Sequence, residues 1–272
     1  MNRPLLIGIA GGSGSGKTYF ARQVRELSDP ARVGLLSMDA YFRTEQGSKI
    51  EQINFDHPGR LDLDLLTCHL RALRQGEPIK APSYDFRTMT QTPEATDLAP
   101  LPVVLVEGLF VLAPPLVDLF DLTCFLDVEA DQRLLGRILR DMKEREASID
   151  QTVDRYQRFV RPSHNVFIAP TRQNADVVVD FTYRRNFFTA SMAELVLDYL
   201  QRGLDVEAIV QKARGDTYRL GYSVERPTMP MSVDIRRMAK AYPEQLVQHQ
   251  PQKGKSGAHL FVEAGMTEPR SH

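Results

Sequence analysis

The chain has 272 residues, 42% of them hydrophobic and 25% charged, with a formal charge of −1. This length can bury the core of one large α/β domain with appendages, and the near-neutral balance excludes a global field that would recruit nucleic acid or an anionic membrane. No charged start with an apolar run and cleavage site opens the sequence, and no apolar stretch is long enough to span a bilayer, so a cytoplasmic protein is expected.

The first apolar run, Leu5-Leu6-Ile7-Gly8-Ile9-Ala10, reads as a buried strand. Gly11-Gly12-Ser13-Gly14-Ser15-Gly16-Lys17-Thr18 follows it. Tyr19 to Leu27 then carries Phe20, Val24 and Leu27 at helical spacing. Strand, glycine loop and helix are the setting in which G-x-x-x-x-G-K-[ST] forms a phosphate loop. The glycines turn backbone N–H groups inward and the helix adds its positive end. Lys17 supplies a mobile charge for terminal phosphates, and Thr18 offers a hydroxyl to Mg²⁺. A dinucleotide fingerprint fails, because after Gly12 and Gly14 the third glycine position holds Lys17.

A second buried strand over 33–38 ends at Asp39, which is read as a metal ligand, a general base or a plain helix cap. Asn54-Phe55-Asp56-His57-Pro58-Gly59 lies in a polar stretch with the pattern of either a surface loop or a binding segment. Asp62 caps an expected helix over 63–75 whose inner face is Leu66, Leu70 and Leu73, with Gly76 as its stop. His69 within it is expected as a structural histidine. The only cysteines, Cys68 and Cys124, fall in apolar-periodic segments and are expected as buried free thiols.

Prolines 78, 82, 93, 100 and 102 make 77–102 a β-hairpin or flap outside the core sheet. A third buried strand over 103–106 delivers Glu107, which with Asp39 and Thr18 suits a Mg²⁺ shell. A fourth strand covers 122–128. The helix from Asp131 is expected to turn Leu134, Leu135, Ile138, Leu139 and Met142 inward. Its polar side, with Arg133, Arg137, Arg140 and Arg145, is either a solvated face or a clamp for a migrating phosphoryl group. Ser148-Ile149-Asp150-Gln151 is a capping box that restarts a helix up to Arg161, ended by Pro162. Helix, break and helix over about 137–161 make a lid. A fifth strand spans 176–180. Thr189 is expected to cap a helix ending before Gly203, and Asp205 opens a short one through Arg214. The stretch 216–272 is set apart as an extension of unknown role, leaving 1–215 as the main domain.

In order, these segments resemble the uridine kinase and phosphoribulokinase family of phosphate-loop kinases, and among them most of all uridine-cytidine kinases. The resemblance rests on Ile7 to Thr18, Asp39-Ala40-Tyr41-Phe42, Asn54-Phe55-Asp56-His57-Pro58, Tyr84-Asp85-Phe86 and Val106-Glu107-Gly108. Phe125-Leu126-Asp127, Arg137 to Asp141, Val160-Arg161-Pro162 and Ala175-Asp176-Val177 complete it. It implies a P-loop NTPase three-layer α/β sandwich with a mainly parallel central sheet, a helical lid and a substrate-side β-hairpin. It implies ATP and Mg²⁺ as cofactors, with Gly11 to Gly16 and Lys17 on the phosphates and Thr18, Asp39 and Glu107 around the metal. Asp39 would take the proton of the attacking hydroxyl. Asp56 and Arg137 would hold ribose hydroxyls, Phe55, Tyr84 and Phe86 would line a nucleoside pocket, and Arg140 and Arg145 would reach the phosphates. The resemblance also points to a homo-oligomer.

Several positions depart from the family pattern. Met89 stands where a base-reading histidine is usual, and Glu144-Arg145-Glu146-Ala147 lacks one lid arginine. Arg155 replaces a glutamine, and Asp180-Phe181-Thr182-Tyr183 replaces a Pro-Arg-Gly loop. Arg155 stays among the substrate-side residues as a donor-only cation. The expected activity is ATP-dependent phosphoryl transfer to the 5′-hydroxyl of a ribose-containing acceptor, most simply a pyrimidine nucleoside. The alternatives are a non-nucleoside sugar or sugar phosphate as acceptor, or a nucleotide-binding regulator without transfer.

Overall fold

The computed structural model describes residues 3–44, 47, 52–203, 205, 207–209, 211–212 and 234–243. The strands are β1 (Leu5–Gly11), β2 (Val33–Ser37), β3 (Ile79–Asp85), β4 (Thr90–Leu98), β5 (Val103–Glu107), β6 (Leu122–Asp127) and β7 (Val177–Asp180). The helices used below are α1 (Lys17–Leu27), α2 (Leu63–Arg74), α3 (Ala130–Glu144), α4 (Ile149–Arg155), α5 (Arg185–Arg202) and α6 (Ile235–Ala241). Five strands form one parallel sheet in the order β2-β5-β1-β6-β7, and β3 with β4 forms a separate antiparallel hairpin.

The parallel strands are apolar on both faces because both are covered. Leu5, Ile7 and Ile9 join a core with Phe20 and Val24 of α1 and Phe188, Met192 and Val196 of α5. Leu6 and Ala10 point the other way, into a core with Leu66, Leu70 and Leu73 of α2. Helices on two faces of a sheet make the expected three layers. Each buried Leu, Ile or Phe contributes about 1.5–3 kcal/mol. Gly8 is needed between them, since a Cβ there would lie 2.9 Å from the Phe120 ring.

Register positions the chemistry. Glu107 pairs with Ile9 of β1 and with Ser37 of β2, and Gly11 pairs with Leu126 of β6. The carboxyl ends of three neighbouring strands therefore meet at β1, where open α/β sheets place ligands. The hairpin stands outside the core sheet, as its prolines require.

The structure departs from the sequence pattern in several places. α3 turns the opposite face inward: Arg133, Arg137 and Asp141 are buried, while Leu135, Leu139 and Met142 are exposed. Its backbone lies against the phosphate loop, where a Cβ on Gly136 would come 2.8 Å from the Gly14 carbonyl oxygen. That approach dictates which side faces in. Pro162 does not end its helix. From α4 the chain stays helical to Asn174, passing through π-helical Tyr156–Val160 and His164–Ile168 and 3₁₀ Ala169–Asn174. Proline's missing N–H falls where the hydrogen-bond register changes, so no α-helical donor is lost there.

Thr189 is no cap: its hydroxyl donates to the Arg185 carbonyl at 2.8 Å inside α5, which starts four residues earlier. Cys124 is buried but Cys68 is exposed, because it lies on α2 away from Leu66, Leu70 and Leu73. His69 is structural, meeting the Tyr41 hydroxyl at 2.8 Å. Of the helix opened by Asp205, 207–209 and 211–212 are helical; its expected end at Arg214 lies outside the described residues. Within 216–272, residues 234–243 are described and carry α6. No helix among the described residues is long and apolar enough to cross a membrane.

Candidate active site

The loop after β1 is an anion cradle in shape. Gly16 caps α1 in the left-handed region at φ 86°, and no side chain occupies the helix start. The α1 amides and positive end are left for a ligand. Gly14 has φ 83°, and a Cβ there would lie 2.1 Å from the Arg133 carbonyl oxygen. Lys17 is buried, and its Nζ donates to the Gly12 carbonyl at 3.1 Å. Ser15 Oγ and Arg133 Nη1 are buried with no hydrogen-bond partner. Such groups cost roughly 1–3 kcal/mol each, and a bound phosphate would satisfy them.

The strand-end acids arrive beside this loop. Glu107 is 2% exposed; its Oε1 accepts from Thr18 Oγ at 3.1 Å and from Ser37 Oγ at 2.6 Å. Ser37, not Asp39, caps the turn Met38–Tyr41, accepting the Asp39 N–H at 3.3 Å. The Asp39 carboxylate is thereby left out of capping. Burial, and then the Asp39 charge, raise the Glu107 carboxyl above the usual range. Burial lowers the Lys17 ammonium, against the pull of Glu107 and Asp39. Two carboxylates and a lysine thus act on one another at the mouth of residues 11–18. Among the described residues no group of three or more His, Cys, Asp and Glu is set to hold a metal. A pair of carboxylates with the Thr18 hydroxyl suits an ion that keeps most of its waters, as Mg²⁺ does.

On the other side, the buried face of α3 reaches the loop at 54–60. Arg137 Nη1 donates to Ser13 Oγ at 2.7 Å and lies 3.4 Å from Asp56 Oδ2, and its Nε is 3.2 Å from Asp141. Asp56 is 3% exposed, and its Oδ1 has no hydrogen-bond partner. One arginine therefore ties the phosphate loop to a carboxylate with a vacant acceptor. Arg140 holds Asp141 through Nε and Nη2 at 3.0 and 2.8 Å, and Arg145 approaches the same carboxylate at 3.7 Å. Burial raises the Asp141 carboxyl, but these three guanidiniums outweigh it and hold it below the usual range. Burial, and then the Arg140 charge, bring Arg145 down to about 10. A buried charged stripe adds little stability over an apolar one.

Four aromatic rings pack together here. Phe42 lies 5.4–5.5 Å from Phe55, Tyr84 and Phe86, and Tyr84 lies 5.0 Å from Phe86. A cavity of about 240 Å³ opens beside Phe55 and Phe86, lined also by Asp141, Arg145, Gln151 and Arg155. Arg145 sits over the Phe86 ring at 4.3 Å and Arg155 over Phe55 at 5.5 Å. Met89 takes the left-handed region at φ 58° in the hairpin turn and packs on the core.

The sequence names Arg133 only as one of four arginines on a solvated face or clamp, and Phe42 only as a neighbour of Asp39; it does not single out His164. His164 follows Pro162, which the sequence pattern marks as a helix end. Burial, then Arg133, bring the imidazole down to about 4 despite Asp56, and its Nδ1 is buried without a partner.

Residues 6–186 match the phosphoribulokinase / uridine kinase family. The chain is 37% identical over 206 residues to a uridine kinase of Oceanobacillus iheyensis, covering 74% of this chain and 98% of that protein. It is 41% identical over 182 residues to a uridine kinase of Bacillus pumilus, covering 65% and 87%. Among solved structures, a kinase assigned to a fructose transport system of Silicibacter sp. superposes with a TM-score of 0.53 at 19% identity. It covers 66% of this chain and 91% of that one, a likeness of fold alone.

Proposed function

Since this chain belongs to the phosphoribulokinase / uridine kinase family and is an ATP-dependent phosphotransferase, we propose that its acceptor is the 5′-hydroxyl of a pyrimidine nucleoside. The observation that carries this reading is the buried Asp56, with Oδ1 unpartnered and Oδ2 near Arg137, next to a cluster of aromatic rings. A vacant carboxylate oxygen suits a sugar hydroxyl, and aromatic faces suit a flat base. The relatives named above are uridine kinases.

In this reading Lys17 and the amides of 11–18 hold the triphosphate. Thr18, Asp39 and Glu107 would hold Mg²⁺, which when bound neutralises charge on the phosphates. Asp56 and Arg137 orient the ribose so that its hydroxyl oxygen faces the terminal phosphorus. Asp39 accepts the hydroxyl proton as the new P–O bond forms and the bond to ADP breaks. Arg140 and Arg145 turn from Asp141 toward the migrating group when the lid closes. The kinase domain is 1–215, with 216–272 as an extension. By family resemblance the enzyme works in the cytoplasm as a homo-oligomer.

A second reading, an anionic acceptor such as a sugar phosphate, is favoured by Arg155, a cation at the cavity where glutamine is usual. Incubation with Mg²⁺ and ATP across pyrimidine nucleosides, free pentoses and pentose phosphates separates the two. ADP release and phosphorus NMR of the product are expected to give nucleoside 5′-monophosphates. Turnover confined to the phosphorylated sugars would replace the first reading by the second.

A further inference from the structure

The family match ends at residue 186, yet α6 packs directly against the segment that carries Asp56. A helix of seven residues has no stability of its own and must be held by its contacts. Ile235 is fully buried, and its N–H donates to the Pro114 carbonyl at 2.9 Å. Arg236 Nη2 pairs with Asp64 at 2.8 Å and donates to Thr67 Oγ at 3.2 Å, fastening α6 to the start of α2. Just past the helix, the Tyr242 carbonyl meets His57 Nε2 at 2.9 Å. His57 Nδ1 accepts the Gly59 N–H at 3.0 Å, so Nε2 carries the proton and donates to Tyr242. Phe167 closes the arrangement, edge-on to His57 at 5.0 Å and to Tyr242 at 6.4 Å.

His57 adjoins Asp56 in the chain, and the Asp56 carboxylate is tied to Arg137 through Oδ2. A loop held at Asp56 by Arg137 and at the next residue, His57, by the Tyr242 carbonyl presents one geometry to a ligand. We propose that Asp234–Tyr242 is a positioning element for the acceptor loop: it fixes His57, and through it sets Asp56 before the acceptor arrives. The proposal rests on the reading of Asp56 as an acceptor ligand. A positioning role lowers the ordering cost at binding, so its loss appears in the acceptor's KM. A cover that merely shields Phe167 would change thermal stability and leave that KM alone.

The test uses the full chain with Ile235→Asp, which ejects the buried anchor, and Arg236→Ala, which loosens it without burying a charge. The expected result for Ile235→Asp is an acceptor KM raised about tenfold, with kcat and the KM for ATP within about twofold. Arg236→Ala is expected to raise the acceptor KM about threefold, and it carries the test if Ile235→Asp shows no cooperative melting. His57→Leu should resemble Ile235→Asp, and His57→Gln, which keeps a donor for the Tyr242 carbonyl, should recover most of the loss. Amide hydrogen exchange should accelerate at 54–60 in the α6 variants and not in β1. An unchanged acceptor KM while the amides of 235–241 exchange freely would overturn the proposal. If the unaltered enzyme phosphorylates no nucleoside or sugar, the acceptor reading fails first. The exchange arm then decides alone: unaltered exchange at 54–60 overturns the positioning role, and faster exchange upholds it.

Discussion

On the proposed phosphate side, eight consecutive residues, Gly11 to Thr18, offer backbone amides and one lysine to a ligand. On the proposed acceptor side, Phe42, Asp56, Phe86, Arg137 and Arg155 come from five separate segments and meet through side chains. A contiguous loop forms its geometry as the chain turns, so it tolerates change around it. A dispersed site depends on how α3, the hairpin and the 54–60 loop pack, so substitutions there alter preference without removing chemistry. The departures from the family pattern at Met89, Ala147 and Arg155 fall on this second side, while that at Asp180–Tyr183 lies behind the phosphate loop, whose own residues are intact.

The sharpest break in that comparison is Asp39→Asn, since Asp39 stands between the two sides. Its kcat is expected to fall by about 10²–10⁴ while nucleotide affinity, followed by calorimetry, stays nearly constant. Turnover at the original rate would remove Asp39 from the proton-accepting role. Asp56→Ala, wholly on the acceptor side, should raise the acceptor KM by about 10–100-fold and leave the KM for ATP alone. Equal changes in both constants would mean that the two sides are one unit, joined through Arg137 and Ser13.

His164 sharpens the comparison by pH. Its folded pKa of about 4 lies below the ordinary 6.5, chiefly through burial and then Arg133. A depressed folded value stabilises fully above the unfolded value and is lost as pH falls through the window from 6.5 toward 4. His164→Gln should remove this acid-dependent loss, about 3 kcal/mol over that window. Melting midpoints of the two proteins should therefore converge or cross between neutral and acid pH, and parallel curves would contradict it. Arg155→Gln is the smallest change. It should shift the ratio of kcat/KM for neutral over anionic acceptors by about three- to tenfold toward the neutral ones, measured by competition.

Much of the site was legible because its signals are local. The glycine spacing, Lys17-Thr18 and the apolar runs ending at Asp39 and Glu107 need only neighbours in the chain to act. So do the Asp62 cap and the Ser148–Gln151 capping box, both of which form. The orientation of α3 was not legible, because its sequence offers an apolar stripe and an arginine stripe, and helical periodicity is indifferent between them. Contact with Gly14 chose the arginines. Pro162 misled for a related reason: proline forbids a hydrogen bond, but only the surrounding helix register says whether one was due.

By itself, the sequence determined a parallel α/β kinase with a phosphate loop and two strand-end acids, since such features arise from short-range backbone geometry and strand patterning. Only the tertiary structure decided that Arg137 joins Ser13 to Asp56, that Phe42 packs on Phe55 and Phe86, that His164 feels the charges of Arg133 and Asp56, and that α6 reaches back to His57. Those contacts link residues up to 185 positions apart, and no local pattern encodes a partner at that separation. Burial and packing select it once the sheet has brought the segments together.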